Sequence, residues 1–267
     1  MKLKKNHVLA IAAMTLAGPA SATVVLTDNF NTWTGGSAST FNDSNSLAAD
    51  QGGSLATTTY NVQGSDFVVQ RGNGGRLLVA NDNSGQFGYG NVSLANNFAT
   101  QANSYNGPLK ISFNIANVSG YTDTSRWVQF NIGSAQNLDV ANGAATVGVL
   151  FRQQGQADVL NAGIGLAGNV NWSPNDLVTI TLSDTVGTGS AFNGNGSKAT
   201  ISIGNSNLGS FTLAQQSAAY LTFSAFNYSN DQFGLGTFDN LSVAVVPEPG
   251  AALLGGLGLI TLLRRRR

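Results

Sequence analysis

Between Thr23 and Val246 apolar and polar residues alternate with a period of two in a series of short segments. In Leu109-Lys110-Ile111-Ser112-Phe113-Asn114-Ile115 the odd positions are apolar and the even ones polar. The same alternation runs through Val128, Phe130 and Ile132, then Val147, Val149 and Phe151, then Val178, Ile180 and Leu182. It continues in Ile201 and Ile203, and in Leu221, Phe223 and Ala225. Successive side chains of a strand point to opposite faces, so this pattern predicts strands with one buried face. No long window of the body shows the 3.6-residue apolar stripe of an amphipathic helix. Strand signals recur every ~10–20 residues, which predicts roughly ten to twelve strands in an all-β, two-sheet sandwich or jelly roll.

The turn residues agree with this reading. Asn73-Gly74, Asn106-Gly107, Asn142-Gly143, Asn193-Gly194 and Asn195-Gly196 are candidate hairpin dipeptides, because both residue types tolerate the positive φ of tight turns. Residues 31–60 are low in apolar content and read as a long loop. No repeat or interdomain linker interrupts the body, so one domain is expected over 23–246.

The two ends follow other rules. Residues 1–22 combine a basic start (Lys2, Lys4, Lys5), an apolar stretch from Val8 to Ala17, and Gly-Pro-Ala-Ser-Ala. Ala20 and Ala22 hold the small-residue positions that signal peptidase requires, which predicts an exported protein cleaved before Thr23. At the C-terminus Pro247-Glu248-Pro249 precedes an apolar run over 250–263 and then Arg264, Arg265, Arg266 and Arg267. As a helix that run would be about 21 Å long, short of a ~30 Å hydrocarbon core. The arginine block reads as a stop-transfer signal retained on the cytoplasmic side.

Charge and composition sharpen this division. The chain of 267 residues has 13 Lys+Arg and 13 Asp+Glu, no Cys and one His, and only 10% of it is charged. Seven basic residues lie in the two end segments. The body holds six (Arg71, Arg76, Lys110, Arg126, Arg152, Lys198) against twelve Asp, a net charge of −6. No basic stripe is present, so nucleic acid is not an expected partner. His7 leaves with the signal segment, and a body without His or Cys cannot build a Ser/His/Asp or Cys/His site or a histidine or thiolate metal centre. Glu248, the single Glu, belongs to the tail. No catalytic residues are assigned, and the chain is not expected to be an enzyme.

Pro247-Glu248-Pro249, a short hydrophobic helix and a terminal basic cluster resemble the PEP-CTERM sorting signal. That resemblance covers 247–267. It implies recognition by an exosortase, a membrane-embedded protease with a Cys-type active site, in an exopolysaccharide-making Gram-negative bacterium. It further implies transient anchoring in the inner membrane and release to the cell surface or extracellular matrix. The first strand segment, Thr23 to Phe30, and the last, Thr237 to Val243, resemble the paired terminal strands of concanavalin-A-like and laminin-G-like jelly rolls. Jelly rolls of that type often carry structural calcium; Asp28 and Asp239 are the candidate ligands if the terminal strands pair, with solvated turn residues as the plainer alternative.

Two functions remain open on these grounds. The first is a non-catalytic structural or interaction role in an extracellular polysaccharide matrix. The alternative is a carbohydrate-binding module, in which an aromatic ring packs on the apolar face of a sugar while amides and carboxylates bind its hydroxyls. Trp33, Trp127 and Trp172 are the candidate glycan contacts, and each also suits ordinary packing. Trp127 is out of phase with Val128 and Phe130, which points it outward. Trp172 precedes Ser173-Pro174 at a strand entry, a common packing position. A third reading, an Asp-only glycan hydrolase or lyase, lacks any flanking signature.

Overall fold

The computed structural model describes residues 21–30, 51–55, 60–63, 67–72, 76–81, 88–119, 127–136, 147–153, 155–161, 164–227 and 234–246. Ala20, Trp33, the signal segment before residue 21 and the tail from Pro247 to Arg267 lie outside them. Among the described residues no helix is long and apolar enough to cross a membrane.

The first strands are β1 (Thr23–Asp28), β2 (Gln51–Gly52), β3 (Tyr60–Gln63), β4 (Phe67–Gly72), β5 (Arg76–Asn81) and β6 (Gly88–Leu94). A short helix, α1 (Ala99–Tyr105), leads into β7 (Leu109–Ser119), β8 (Trp127–Gly133), β9 (Val147–Arg152), β10 (Gln156–Asn161) and β11 (Ile164–Asn171). The remainder is β12 (Asp176–Ser183), β13 (Ser197–Ile203), β14 (Ser206–Leu213), β15 (Tyr220–Asn227) and β16 (Gly234–Val245). The strands form two antiparallel sheets. The nine-stranded sheet runs β14-β13-β12-β7-β16-β1-β2, with β5 paired to β16 and β4 to β5; the seven-stranded sheet runs β11-β10-β9-β8-β15-β6-β3. The predicted all-β sandwich is therefore present, with more and shorter strands than the alternation alone revealed.

Each predicted apolar set lies on a strand and faces the space between the sheets. Phe113 and Phe238 enter from the nine-stranded sheet; Phe130, Phe151 and Phe223 enter from the seven-stranded one, all fully buried. Their rings touch across the gap: Phe113 to Phe130 at 4.6 Å between centroids and Phe223 to Phe238 at 4.7 Å. Burial of each ring contributes on the order of 2–3 kcal/mol, and each favourable ring pair adds ~1 kcal/mol. Gly236 lies beside these rings, where a Cβ would stand 2.6 Å from Val128 Cγ2 of the opposing sheet. A side chain there has no room, which explains a glycine near the start of a long strand.

The terminal strands pair as expected, β1 beside β16 from Thr23↔Val245 to Asp28↔Leu241. Residues 197–213 form a hairpin, β13 and β14. Its tight turn, however, is Gly204-Asn205, with Gly204 at φ +54°, and not an Asn-Gly pair. Asn106 closes α1 in the left-handed conformation at φ 45°. Asn193-Gly194 and Asn195-Gly196 lie in the longer connection from β12 to β13. These pairs supply positive φ, as their chemistry requires, but at a helix end and a loop. Asn73-Gly74 and Asn142-Gly143 fall outside the described residues.

Asp184 organises that β12–β13 connection. Its Oδ1 accepts from the Gly187 N–H at 2.7 Å and the Thr188 N–H at 3.1 Å. Burial pushes the carboxyl up, but backbone N–H donation from Gly189, Gly187 and Thr188, with the Lys198 charge, outweighs it and holds the pKa below 3.8.

Two outcomes follow from this packing. Gly236→Ala should lower the free energy of urea unfolding by ~1–3 kcal/mol through overpacking against Val128; an unchanged midpoint would show that the sheets can separate there freely. Because the Asp184 pKa is lowered on folding, its ionised form stabilises the fold above about pH 4, and that contribution is lost as pH falls through the folded pKa. Asp184→Asn should therefore be less stable than the parent at pH 7 and lose less on going to pH 3. Equal losses in the two proteins would contradict the assignment.

Candidate functional site

The sequence predicts one buried face per strand, and the seven-stranded sheet departs from this. On its outward face, Asn91 and Ser93 of β6, Gln129 and Asn131 of β8, and Thr222 and Ser224 of β15 are all buried. They sit in two cross-strand rows. One runs Asn61–Ser93–Thr222–Asn131, and the next runs Asn91–Ser224–Gln129–Leu150–Asp158. Within the first, the Ser93 and Thr222 hydroxyls lie 2.5 Å apart. Asn131 Nδ2 donates to Ser224 Oγ at 3.1 Å, linking the two rows. At the β3 edge Asn61 Nδ2 donates to Gln136 Oε1, and Gln136 Nε2 donates on to the Ala95 carbonyl at 3.1 Å. Buried amides and hydroxyls require hydrogen bonds, and neighbours in register on one face supply part of that requirement here.

The rows end in a different chemistry. Trp127, half-buried, packs with Leu160 on Leu150, and this small cluster is separate from the main core. Beside it on the β9–β10 hairpin, Arg152 Nη1 is paired with Asp158 Oδ2, both side chains partly open to solvent. Asp158 is in register with Leu150, so the ion pair borders the same apolar patch. The outward direction read for Trp127 is thus what the structure shows. A ring, an apolar floor, a carboxylate and a guanidinium form a surface that can pack on a sugar and bond its hydroxyls. The patch holds one carboxylate, paired with an arginine, where glycoside hydrolysis uses two carboxyls.

The other sequence candidates are placed apart from this patch. Trp172 is buried, donates from Nε1 to the Gln156 carbonyl at 3.0 Å, and meets Phe151 edge-to-face at 5.9 Å. It packs the core, which removes it as a glycan contact. Trp33 lies outside the described residues. Thr23 begins β1, with exposed Ala22 before it.

Asp28 and Asp239 sit on paired strands but on opposite faces of the nine-stranded sheet. Asp28 points inward with its cross-strand partner Leu241; Oδ1 accepts from the Phe30 N–H at 2.9 Å and Oδ2 from the Tyr60 hydroxyl at 2.8 Å. Asp239 points outward with its partner Asn114, near Arg76 (Nε to Oδ2 3.8 Å) and accepting from the Asn240 N–H at 2.7 Å. Burial raises its pKa above 3.8, against the Asn240 N–H and the Arg76 charge. The bulge at Asn240, φ 52°, breaks the pairing of β16 with β7 between Asp239 and Ser242. Strand pairing alone therefore does not bring the two carboxylates to one cation, and the expected calcium pair does not fit this geometry. Among the described residues no group of three His, Cys, Asp or Glu could hold a metal ion.

The buried polar rows were not anticipated from the sequence. The polar positions of β6, β8 and β15 are Asn, Gln, Ser and Thr; Ser and Thr also occupy the open outer face of the other sheet, so residue identity alone does not mark burial.

No family model matches this chain, and no curated protein matches its sequence. Among solved structures it is similar to the Emp47p carbohydrate recognition domain, at 10% identity and a TM-score of 0.47, over 84% of this chain and 97% of that one. It is similar to peanut lectin at 14% identity and a TM-score of 0.46, over 82% and 97%. A sialidase aligns at 11% identity and a TM-score of 0.43, and the chain spans only 16% of its length. Scores below 0.5 at these identities carry no assignment of function; the two-sheet sandwich rests on the strands and pairings themselves.

Proposed function

We propose that the sandwich is a non-catalytic glycan-binding domain of an exported protein. The observation that supports this most directly is the Trp127 patch: an outward, half-buried ring on Leu150 and Leu160, bordered by the Arg152–Asp158 pair. It combines the apolar platform and the polar groups that sugar recognition needs. Strand pairing on both sides and the Asn131–Ser224 bond on the same face hold β8 in register, so the ring is presented on a sheet rather than on a loop.

The second reading concerns where the domain works. The segments at 1–22 and 247–267 support export by signal peptidase cleavage, followed by exosortase-type processing at the Pro247-Glu248-Pro249 motif and residence in a surface polysaccharide matrix. A glycan-binding domain is a natural cargo for such a route.

For binding, titration against a panel of polysaccharides should give an affinity that falls at least ~10-fold in Trp127→Ala, equivalent to ~1.4 kcal/mol. The variant should keep the parent's circular dichroism. Unchanged affinity in the variant, or no binding by the parent to any member of the panel, overturns the reading. For sorting, removal of 247–267 should abolish surface retention and the mass change of tail processing in the producing cell. Normal maturation and location of the truncated protein would contradict it.

A further inference from the structure

The outward face of the nine-stranded sheet is built differently from the Trp127 face. Thr27 of β1, Ser242 of β16, Ser112 of β7, Thr179 of β12 and Ser202 of β13 lie in register across five adjacent strands. Asn207 extends the row on β14. Every strand thus contributes one hydroxyl, and strands stand ~4.8 Å apart, so the five hydroxyls span about 19 Å in one line. Unlike the buried rows of the other sheet, these side chains are open: Thr27 is exposed and the other four are half-exposed. Among the described residues none of the five hydroxyls is engaged in a side-chain hydrogen bond. A parallel row beside it carries Lys110, Thr181, Thr200 and Ser210, the last two hydroxyls 2.7 Å apart.

We propose that this face is a second glycan-binding surface, which takes a neutral polysaccharide lying across the strands along the row from Thr27 to Ser202. Each hydroxyl can both donate and accept, so a line of them at constant spacing is complementary to a polymer that presents hydroxyls repeatedly along its length. The charge pattern selects the class of polymer. Lys110 is the one charged residue in the two rows, whereas an anionic chain needs a line of Lys or Arg. A protein partner would call for an apolar, aromatic-rich centre. Here the exposed large apolar residues, Val24 and Leu177, lie outside the hydroxyl row. Because the sheets are stacked face to face, the hydroxyl row and the Trp127 patch look in opposite directions. Together they make the domain bivalent, able to bridge two polysaccharide chains. The bridging role rests on the glycan-binding reading of the Trp127 patch; binding at the hydroxyl row does not.

The test uses Ser112→Ala/Thr179→Val, Trp127→Ala and the combined triple variant, each checked for the parent's circular dichroism and urea midpoint. The probes are microcrystalline cellulose, a soluble neutral β-glucan and mannan, with alginate as the anionic control. Depletion isotherms should show the double variant weakened at least ~5-fold on a neutral polysaccharide, with the triple variant weaker than either parent variant. In light scattering the parent should cross-link the soluble β-glucan, and each face variant should bind without cross-linking. If the double variant binds every neutral probe as the parent does while Trp127→Ala loses binding, the hydroxyl surface is overturned and the Trp127 reading stands. If only the double variant loses binding, the Trp127 reading fails and the hydroxyl surface stands. Binding confined to alginate overturns the proposal. So does self-association of the parent that the double variant abolishes, since a second copy would then be the occupant of this face.

Discussion

The contact of five phenylalanine rings between the sheets is the constraint on which the rest of the molecule depends. Phe113 and Phe238 from one sheet meet Phe130, Phe151 and Phe223 from the other. Side-chain direction alternates along a strand, so fixing these rings inward fixes the direction of every neighbour. A one-residue slip of β8 would carry Phe130 outward and bring Gln129 and Trp127 into the core. The same interlock that stabilises the sandwich therefore presents Trp127 on the surface. It likewise sets the register that brings Thr27, Ser242, Ser112, Thr179 and Ser202 into line.

Both sheets share that inner face but treat their outer faces in opposite ways. On the seven-stranded sheet the central polar side chains are buried and some bond one another across strands, as Asn131 does with Ser224. Each such bond ties its two strands together in one register. On the nine-stranded sheet the corresponding positions are hydroxyls open to solvent. A hydroxyl there is hydrated in the free protein, and any surface that covers it must replace that water with a hydrogen bond. The low charged content of the chain thus has a structural expression on both outer faces.

The inner faces were legible in the sequence because apolar alternation reports burial directly. Leu109 to Ile115, Val178 to Leu182 and Leu221 to Ala225 all lie on the strands that the pattern predicts. The outer faces were not, because Asn, Gln, Ser and Thr suit both solvent and a buried hydrogen-bonded row. Only pairing across strands distinguishes the two, and that information is non-local. The Asn-Gly pairs among the described residues serve other ends than a hairpin for a related reason. Positive φ is what they supply, and Asn106 spends it on closing α1 as readily as another would on a hairpin. Trp127 and Trp172 show both outcomes at single residues: strand phase located the first, and the second followed its strand-entry packing position into the core.

The terminal strands illustrate how far a correct topology can be from a correct site. Their pairing was anticipated, and with it a cation between Asp28 and Asp239. Adjacent strands bring two residues onto one face only if the register between them is unbroken, and the bulge at Asn240 falls between Asp239 and the part of β16 that faces Asp28. Asp28 turns inward, where the Tyr60 hydroxyl bonds it across the gap to the opposing sheet. That makes it a polar tie between the layers, bonded at both oxygens. Asp239 instead stays outside with Arg76, at the margin of the open hydroxylated face. This carboxylate is thereby held beside a guanidinium, and Lys110 is the charge that stands in the rows themselves. The centre is left to hydroxyls, which is the condition a neutral ligand requires.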